Sequence, residues 1–183
     1  ILGFSHIMRD DAGLSVEQRK TLDIINKSGE HLLTLINDVL DMAKVEAGQL
    51  SVENTLIDLG EMVRDITDLM RGRAEEKELQ LLLDQSSYFP SFVRTDGGKL
   101  RQALINLVGN AVKFTQEGWV ALRLNARPAD TAGRLLLIVE VEDSGAGISA
   151  EDQTRIFDPF VQASSLTLQK GTGLGLAIAR TYM

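Results

Sequence analysis

The sequence predicts an α+β fold, in which a helical hairpin is followed by a two-layer α/β sandwich with a mixed sheet. Over residues 15–47 the apolar side chains recur with heptad spacing, which is typical of a coiled coil or a helical bundle. After Gly48 the pattern changes to helices and strands in mixed order, which favours one layer of helices on one sheet. We therefore expect a first domain at residues 1–48 and a second domain at residues 49–183.

The first domain is expected to contain one long helix packed against the end of another. The long helix begins at Ser15, which can form a capping box with Gln18, and it ends at Gly48, a residue suited to a left-handed cap. Residues 1–9 are expected to form the preceding helix, which turns back through residues 10–13. This short helix cannot cover the apolar seam of the long one, so a second copy of the chain is expected to complete it. The seam consists of Leu22, Ile25, Gly29, Leu32, Ile36, Val39 and Ala43, flanked by Leu33 and Leu40.

The second domain is expected to alternate helices and strands. Two apolar/polar alternations, at residues 120–125 and 135–141, flank the polar loop 126–133 and predict a hairpin with one buried face. A final helix is expected to begin near Gly173. The other predicted elements are a strand at 50–53, a helix at 59–77, a strand at 79–83 and a helix at 100–115.

The composition argues against several classes of function. The 183 residues carry 26 acidic and 19 basic side chains, a net charge of -7, which makes a nucleic-acid or anionic membrane surface unexpected. No apolar run approaches the roughly 18 residues that a spanning helix needs, and no signal peptide is recognisable. The chain has no cysteine, which excludes disulfides and is compatible with a reducing compartment. We expect a cytoplasmic fragment, cut at both ends and without direct membrane contact; a membrane anchor elsewhere in the parent protein stays open.

Residues 100–115, LRQALINLVGNAVKFT, predict a helix with a polar stripe beside its apolar face. Asn106, Asn110 and Lys113 fall within about 60° of one another at roughly 100° per residue. Asparagine is a poor helix former that costs up to about 0.7 kcal/mol relative to alanine. The stripe is therefore either a solvated helix back or a functional site, and this segment alone leaves both interpretations open.

Two glycine-rich segments are further candidates for binding chemistry. Asp143-Ser144-Gly145-Ala146-Gly147 follows the second hairpin strand, where a carboxylate can accept from an amine while the backbone closes around a flat ligand. The segment GTGLGL, residues 171–176, opens the last helix, where N–H groups and the helix dipole favour a phosphate. Each segment by itself is also typical of a tight turn.

The order of these motifs is more specific than any one of them. The asparagine helix, DSGAG, the segment IFDPF at residues 156–160 and GTGLGL follow one another across about 70 residues. This array resembles the catalytic, ATP-binding domain of sensor histidine kinases, which belong to the superfamily of gyrase, the Hsp90 chaperones and MutL. Residues 1–48, with GFSHIM and LINDVLDMAKVEAG, resemble the dimerisation and phosphotransfer hairpin of the same kinases. FDPFVQ is most similar to hybrid kinases, which carry a receiver domain further along the chain.

The resemblance implies ATP and Mg²⁺ as cofactors and gives the asparagine helix a role. Asn110 would be a magnesium ligand, Asn106 would border the phosphates and the metal, and Lys113 would neutralise phosphate charge. These residue types suit the task, because amide oxygens bind a hard cation without adding charge and lysine is a good point-charge partner.

The resemblance also assigns roles to the glycine-rich segments. Asp143 would accept a hydrogen bond from the adenine amino group, in a pocket shaped by Gly145 and Gly147. The glycines of GTGLGL would hold phosphates at the hinge of a lid of roughly residues 163–170, which the phenylalanines would anchor. The residues in this second group are Phe157, Phe160, Lys170, Gly171, Thr172, Gly173, Leu174 and Gly175.

Neither histidine of the chain fits the phosphate acceptor of these kinases. In the family an acidic residue follows the acceptor, whereas Ile7 follows His6 and Leu32 follows His31. We therefore expect the acceptor to lie before Ile1, so that the chain supplies no phosphoacceptor and does not phosphorylate itself.

The sequence thus predicts the ATP-binding kinase core of a two-component sensor histidine kinase, which transfers the γ-phosphate of ATP to a histidine outside this chain for relay to a response-regulator aspartate. The expected partners are a second copy, bound through the hairpin, and a receiver domain in the same polypeptide or in a cognate protein. One alternative is an ATPase of the gyrase or Hsp90 type, although Asn106 stands where those enzymes have a water-activating glutamate. The other alternative is a non-catalytic, nucleotide-binding dimerisation module.

Overall fold

The computed structural model describes residues 2–9, 13–46, 51–162 and 172–183. The chain divides into two compact units, Ile1–Gln49 and Leu50–Met183. Within the described ranges, no helix has the length and apolar content that crossing a bilayer requires. The helices and strands, in chain order, are α1 (Leu2–Arg9), α2 (Val16–Glu46), β1 (Thr55–Asp58), α3 (Leu59–Glu75), β2 (Gln80–Gln85), β3 (Phe92–Thr95), α4 (Gly97–Phe114), β4 (Trp119–Pro128), β5 (Leu135–Asp143), α5 (Ala150–Gln153) and α6 (Gly175–Tyr182).

The first unit is a hairpin of α1 packed on α2. The predicted capping box is confirmed, since the Ser15 N–H donates to Gln18 Oε1 over 2.9 Å and the Gln18 N–H donates to Ser15 Oγ over 3.2 Å. Gly29 lies against Leu2, and a Cβ atom at Gly29 would come within 2.6 Å of Leu2 Cδ2. The glycine therefore permits the close approach of the two helices. The predicted helix end at Gly48 and the turn residues 10–12 lie outside the described residues.

Most of the predicted seam of α2 is exposed within this unit. Leu22 is buried, at 8% relative exposure, and the buried polar pair Ser5 and Asn26 lies between the helices, with the Ser5 hydroxyl donating to Asn26 Oδ1. Four other seam side chains have relative exposures between 40% and 57%; they are Ile25, Leu32, Ile36 and Val39. The hairpin alone thus leaves an apolar stripe uncovered.

The second unit packs its helices on a mixed three-stranded sheet. Strand β4 lies in the centre, parallel to β2 and antiparallel to β5. One face of β4 is fully apolar and packs with α3 and α4 in a single core. The side chains of that face are Val120, Leu122 and Leu124. Together with the hairpin, this layer of helices on a mixed sheet confirms the predicted α+β class.

The strand predicted at residues 50–53 is wrong. Residues 51–54 are irregular, and β1 begins at Thr55. The reason is visible in the hydrogen bonds, because the Glu53 N–H donates to Asp96 Oδ2 over 3.1 Å and Lys99 Nζ donates to the Ser51 carbonyl over 2.6 Å. Backbone groups that bond to side chains of α4 are not available to a neighbouring strand. β1 instead pairs antiparallel with β3, a strand that the sequence analysis does not predict, in a separate two-stranded sheet.

Helix α3 ends two residues before the predicted Lys77, in a Schellman motif. The Leu79 N–H donates to the Ala74 carbonyl over 2.9 Å, and the Glu78 N–H donates to the Glu75 carbonyl over 3.0 Å. Glu78 has a φ of 57°, the left-handed conformation that usually takes glycine at this position. Ala74 and Leu79 both belong to the core, so the turn is anchored by apolar packing.

Candidate functional site

Helix α4 carries the three polar candidates at half-buried positions. Asn106, Asn110 and Lys113 are each of intermediate exposure, so the stripe is not a fully solvated helix back. Asp96 caps the start of the helix, since its Oδ1 accepts from the Lys99 N–H over 3.0 Å. The opposite face of α4 is locked in the core, which fixes the direction of the stripe.

Asn106 joins α4 to the last helix. Its Nδ2 donates to the Gly175 carbonyl over 3.0 Å, while Gln102 Nε2 lies 3.5 Å from its Oδ1. The bond to Gly175 orients the amide with its nitrogen toward α6. Oδ1, the atom that a metal ion would require, therefore faces away from that carbonyl.

Lys113 lies in the last turn of α4 and is partly desolvated. Burial lowers the pKa of Lys113 below its ordinary value. Its Nζ lies 4.7 Å from the centroid of the Phe114 ring, a distance suited to a cation–π contact. An ammonium group that has already lost part of its water is better prepared to meet a phosphate.

Asp143 brings the end of β5 to the end of α4. Its exposed carboxylate accepts from the Gly145 N–H over 2.9 Å, and its Oδ1 lies 3.5 Å from Thr115 Oγ1. Thr115 is fully buried and donates to the Ala111 carbonyl over 2.7 Å. A Cβ atom at Gly145 would lie 2.7 Å from Asp143 Oδ1 and 3.1 Å from the Phe114 carbonyl oxygen, so a side chain here would displace one or both of them.

Ser144 fastens the same loop to the turn before β4. Its Oγ accepts from the Trp119 N–H over 2.9 Å, and its own N–H donates to the Trp119 carbonyl over 3.1 Å. Gly118 in that turn has a φ of 105°, and Gly147 at the other end of the loop has a φ of 72°. The predicted strand-end pocket is therefore built from backbone that only glycine adopts easily.

The two phenylalanines of FDPF are not core residues. Phe160 is 67% exposed and Phe157 is 40% exposed, with the Phe157 ring 5.9 Å from Arg180 Cζ. Phe160 has a φ of 64°, and its N–H donates to the Gly173 carbonyl over 3.0 Å. A Cβ atom at Gly173 would lie 2.7 Å from the carbonyl carbon of Phe160. The segment is thus joined to the second glycine motif through the backbone.

The described part of that motif forms the start of α6. Thr172 Oγ1 accepts from the Leu174 N–H over 3.0 Å, and the Leu174 side chain is fully buried. Among the residues that the structure describes, no side chain caps the first turn of α6, so its N–H groups suit an anion. Lys170, Gly171 and the predicted lid at 163–170 lie outside the described residues.

A magnesium ion at this site would have to be held mainly by neutral oxygens. Within the described ranges, no group of three or more His, Cys, Asp or Glu side chains could hold a metal. Magnesium accepts few protein ligands and keeps water or phosphate oxygens in the remaining positions. Asn110 and Asn106 on one half-buried face fit that pattern as amide ligands beside a nucleotide.

Two parts of the chain match known protein families. Residues 1–48 match the His Kinase A (phospho-acceptor) domain, and residues 95–183 match the family of histidine kinase-, DNA gyrase B- and HSP90-like ATPases. The chain belongs to the sensor histidine kinases. The resemblance drawn from the order of the motifs is therefore confirmed.

Individual histidine kinases resemble the whole of this chain. LuxQ, an autoinducer 2 sensor kinase/phosphatase of Vibrio parahaemolyticus, is 34% identical over 185 residues, which cover 100% of this chain and 21% of LuxQ. Hybrid signal transduction histidine kinase K of Dictyostelium discoideum is 33% identical over 184 residues, which cover 96% of this chain and 15% of that protein. Full-length ShkA, solved in complex with AMPPNP, superposes with a TM-score of 0.75 at 37% identity, covering 100% of this chain and 36% of ShkA. The chain thus spans about a fifth of the length of LuxQ.

Three residues that hold the site were missed by the sequence analysis. Thr115 and Ser144 lie inside the segments 100–115 and 143–147, but a single hydroxyl side chain has no spacing signal of its own. Lys77, whose Nζ donates to the carbonyls of Val112, Lys113 and Thr115 at the end of α4, lies far from the motifs along the chain. A lysine just after a helix ordinarily points to solvent, and nothing in the sequence distinguishes this one.

Proposed function

We propose that this chain is the dimerisation hairpin and ATP-binding catalytic domain of a two-component sensor histidine kinase. Residues 1–48 would form the hairpin and residues 49–183 the catalytic domain. The reaction would transfer the γ-phosphate of ATP to a histidine outside this chain, for relay to an aspartate of a receiver domain. The observation that carries the proposal is that α4 joins the other two parts of the site: its asparagine face contacts the start of α6, and its end contacts Asp143 at the end of β5.

Each part of the site suits one part of Mg-ATP. Asp143 would accept from the adenine amino group, beside Gly145 and Gly147. Asn110, with Asn106, would hold Mg²⁺ through amide oxygens. A bound magnesium ion supplies neutralisation of phosphate charge, which is most of what phosphoryl transfer asks of a protein.

The phosphates themselves would meet a cation and backbone donors. Lys113 would approach them with a side chain that burial has partly desolvated. The N–H groups of the first turn of α6, with Thr172, Gly173 and Leu174 before it, would bind on the other side. The exposed Phe157 and Phe160 would anchor the segment that follows them.

The proposed partners follow from the two units. The exposed seam of α2 suits a second copy of the hairpin, which would bury it in a four-helix bundle. A receiver domain would supply the phosphate-accepting aspartate, either in the same polypeptide, as FDPFVQ and the hybrid relative suggest, or in a cognate protein. The ATPase alternative is disfavoured because Asn106, an amide bonded to Gly175, cannot act as a general base.

Calorimetric titration with ATP tests the proposal. Asp143→Ala should weaken binding by about 1–3 kcal/mol, the scale for stranding one hydrogen-bond partner. Asp130→Ala removes an exposed carboxylate from the β4–β5 loop and should leave the affinity unchanged. In Asn110→Ala, binding in EDTA should equal that of the wild type while the enhancement by magnesium disappears.

Three results would change the assignment. Equal ATP affinity in Asp143→Ala and wild type would refute the adenine contact, and no ATP binding by the wild type would refute the proposed function. Incubation with radiolabelled ATP and an alkaline quench should leave this chain unlabelled. Label that disappears on mutation of His6 or His31 would show that the acceptor lies within the chain.

A further inference from the structure

The ammonium group of Lys77 caps the carboxyl end of α4. Its Nζ donates to three backbone carbonyls, those of Val112, Lys113 and Thr115, over 2.8, 2.6 and 2.9 Å. The last carbonyls of a helix have no intrahelical donor, and the negative end of the helix dipole favours a cation. A lysine ammonium has three N–H groups, so all of its donors are used here.

The turn after α3 directs Lys77 toward α4. Lys77 directly precedes Glu78, whose left-handed φ of 57° closes the Schellman motif. The residues that close this motif by apolar contact, Ala74 and Leu79, are part of the core. The backbone of Lys77 is therefore fixed by packing that does not involve the nucleotide site, and its side chain reaches the end of α4.

The segment that Lys77 holds carries both halves of the proposed site. Lys113 projects from it on the phosphate side. On the adenine side, Thr115 Oγ1 lies 3.5 Å from Asp143 Oδ1, and the Phe114 carbonyl oxygen would lie 3.1 Å from a Cβ atom at position 145. A displacement of residues 112–115 would thus move the cation and the Asp143 loop together.

We propose that Lys77 is a positioning residue of the nucleotide site. By capping α4 it sets the place of Lys113 and, through Phe114 and Thr115, the place of the loop Asp143–Gly145. It acts through α4 and not by contact with the nucleotide, because its three N–H groups already donate to carbonyls. The proposal rests on ATP binding at this site and adds a residue that lies outside the sequence motifs.

Three variants separate positioning from charge and from general stability. Lys77→Met keeps the length of the stem but has no donor, Lys77→Arg keeps the cation and its donors, and Arg73→Met removes an exposed cation from the last turn of α3. Calorimetry with Mg-ATP, well below the unfolding temperature of each variant, should give a dissociation constant raised about tenfold for Lys77→Met. Lys77→Arg should stay within about threefold of wild type, and Arg73→Met should equal it.

Amide hydrogen exchange in the absence of nucleotide gives a second readout. In Lys77→Met, exchange should accelerate at the N–H of Thr115, which bonds to Ala111, and at the N–H of Gly145, which bonds to Asp143. The N–H of Leu59, which bonds to Ser91 elsewhere in the same unit, should exchange as in wild type. This pattern would place the effect of Lys77 at the site and not across the whole unit.

The outcomes are distinct. Wild-type affinity and wild-type exchange at Gly145 in Lys77→Met would overturn the proposal, whatever happens to its melting temperature. Uniform acceleration at Leu59 as well would also overturn it, since Lys77 would then serve only global stability. If the wild type does not bind ATP, the proposed function fails, while the exchange pattern still decides whether Lys77 positions the Asp143 loop. If Lys77→Met does not fold, Lys77→Gln, which keeps an amide donor, should show the same pattern to a smaller degree.

Discussion

The two units of the chain place their apolar side chains in opposite ways. In Leu50–Met183 the apolar faces of α3 and α4 close on the sheet, and Ile66 and Val108 are completely buried. In Ile1–Gln49 the described apolar side chains of α2 remain largely in solvent, with Leu33 at 52%. The helices of both units have an amphipathic period, so the period alone does not predict whether the surface that buries the apolar face belongs to the same unit. A face closed within its own unit supports independent folding, whereas a long uncovered stripe needs a surface from elsewhere.

The comparison is tested most strongly in the core of the second unit. Ile66→Ala should lower the free energy of unfolding by about 2–5 kcal/mol, because it removes three buried carbon atoms and leaves a cavity. The loss should not depend on protein concentration. Trp119, the one tryptophan of the chain, lies in this unit, so its fluorescence in urea titrations reports the transition.

The matched change in the first unit is Ile24→Ala. Ile24 is 63% exposed, and its loss should change stability by less than about 0.5 kcal/mol. Similar effects of Ile66→Ala and Ile24→Ala would mean that the two units do not differ in the way described.

The seam of α2 provides the second test. Ile36→Ala should weaken self-association by about 1–3 kcal/mol per copy, since it removes apolar surface that only a second hairpin would bury. Sedimentation equilibrium over a range of concentrations measures this directly. Asn37→Ala, on an exposed neighbouring position, should leave association unchanged. A chain that stays monomeric at the highest concentration would contradict a bundle formed through this seam.

The pH dependence of stability tests the contacts of Asp96, which hold the start of the second unit. Hydrogen bonds from the Lys99 side chain and then from the Lys99 and Glu53 N–H groups lower the pKa of Asp96 from 3.8 to about 2. Because the folded pKa lies below the unfolded one, this contribution is fully present above the unfolded value and is lost as pH falls through about 2. Asp96→Asn, which keeps an N-cap acceptor but not the charge, should therefore be less stable than wild type by about 1 kcal/mol at pH 7.

The difference between Asp96→Asn and wild type should begin to shrink as pH falls toward the unfolded pKa of 3.8 and should vanish only below about pH 2, which urea titrations across this range would follow. Asp130→Asn, in the exposed loop between β4 and β5, serves as the control. A difference that is constant with pH would show that the carboxylate charge does not anchor residues 51–53.

The smallest expected effect is a gain. Glu78→Gly should raise stability by about 0.5–1 kcal/mol, because glycine adopts the left-handed φ of 57° without the steric cost that glutamate bears. Glu76→Gly, where φ is -57°, should instead lower stability. Loss of stability in both variants would mean that Glu78 makes a compensating interaction in this turn. Trp119 fluorescence in urea reports both variants.

Sequence reasoning succeeds here wherever the signal is local and periodic. The α4 helix and the β4–β5 hairpin each follow a periodic pattern, and the capping box of α2 is a local motif. All three are present, although β4 continues through the predicted loop residues 126–128 and α4 begins at Gly97, before the predicted residue 100. The two-stranded sheet of β1 and β3 has no such local signal, since each strand has four residues and its partner lies more than thirty positions away. For such a short strand, the pairing and not the composition decides the structure.

The same contrast between local patterns and distant contacts applies to the candidate site. Its motif residues could be found because their order is shared with a family, and the glycines at 145 and 173 are explained by close contacts that the structure then shows. Lys77 could not be found, because its role depends on a side chain that crosses from the end of α3 to the end of α4. Contacts between elements distant in the chain leave no trace in a single sequence.

The hydrogen bond between Asn106 and Gly175 makes one side-chain amide a built-in spectroscopic reporter. A donated amide proton resonates apart from those of a fully hydrated asparagine, and this one points at the first carbonyl of α6. Nitrogen-15 labelling of asparagine alone would make the signal readable without a foreign dye or spin label. Any ligand that draws α6 along its axis would shift that resonance, whereas a rearrangement confined to the hairpin unit would leave it in place.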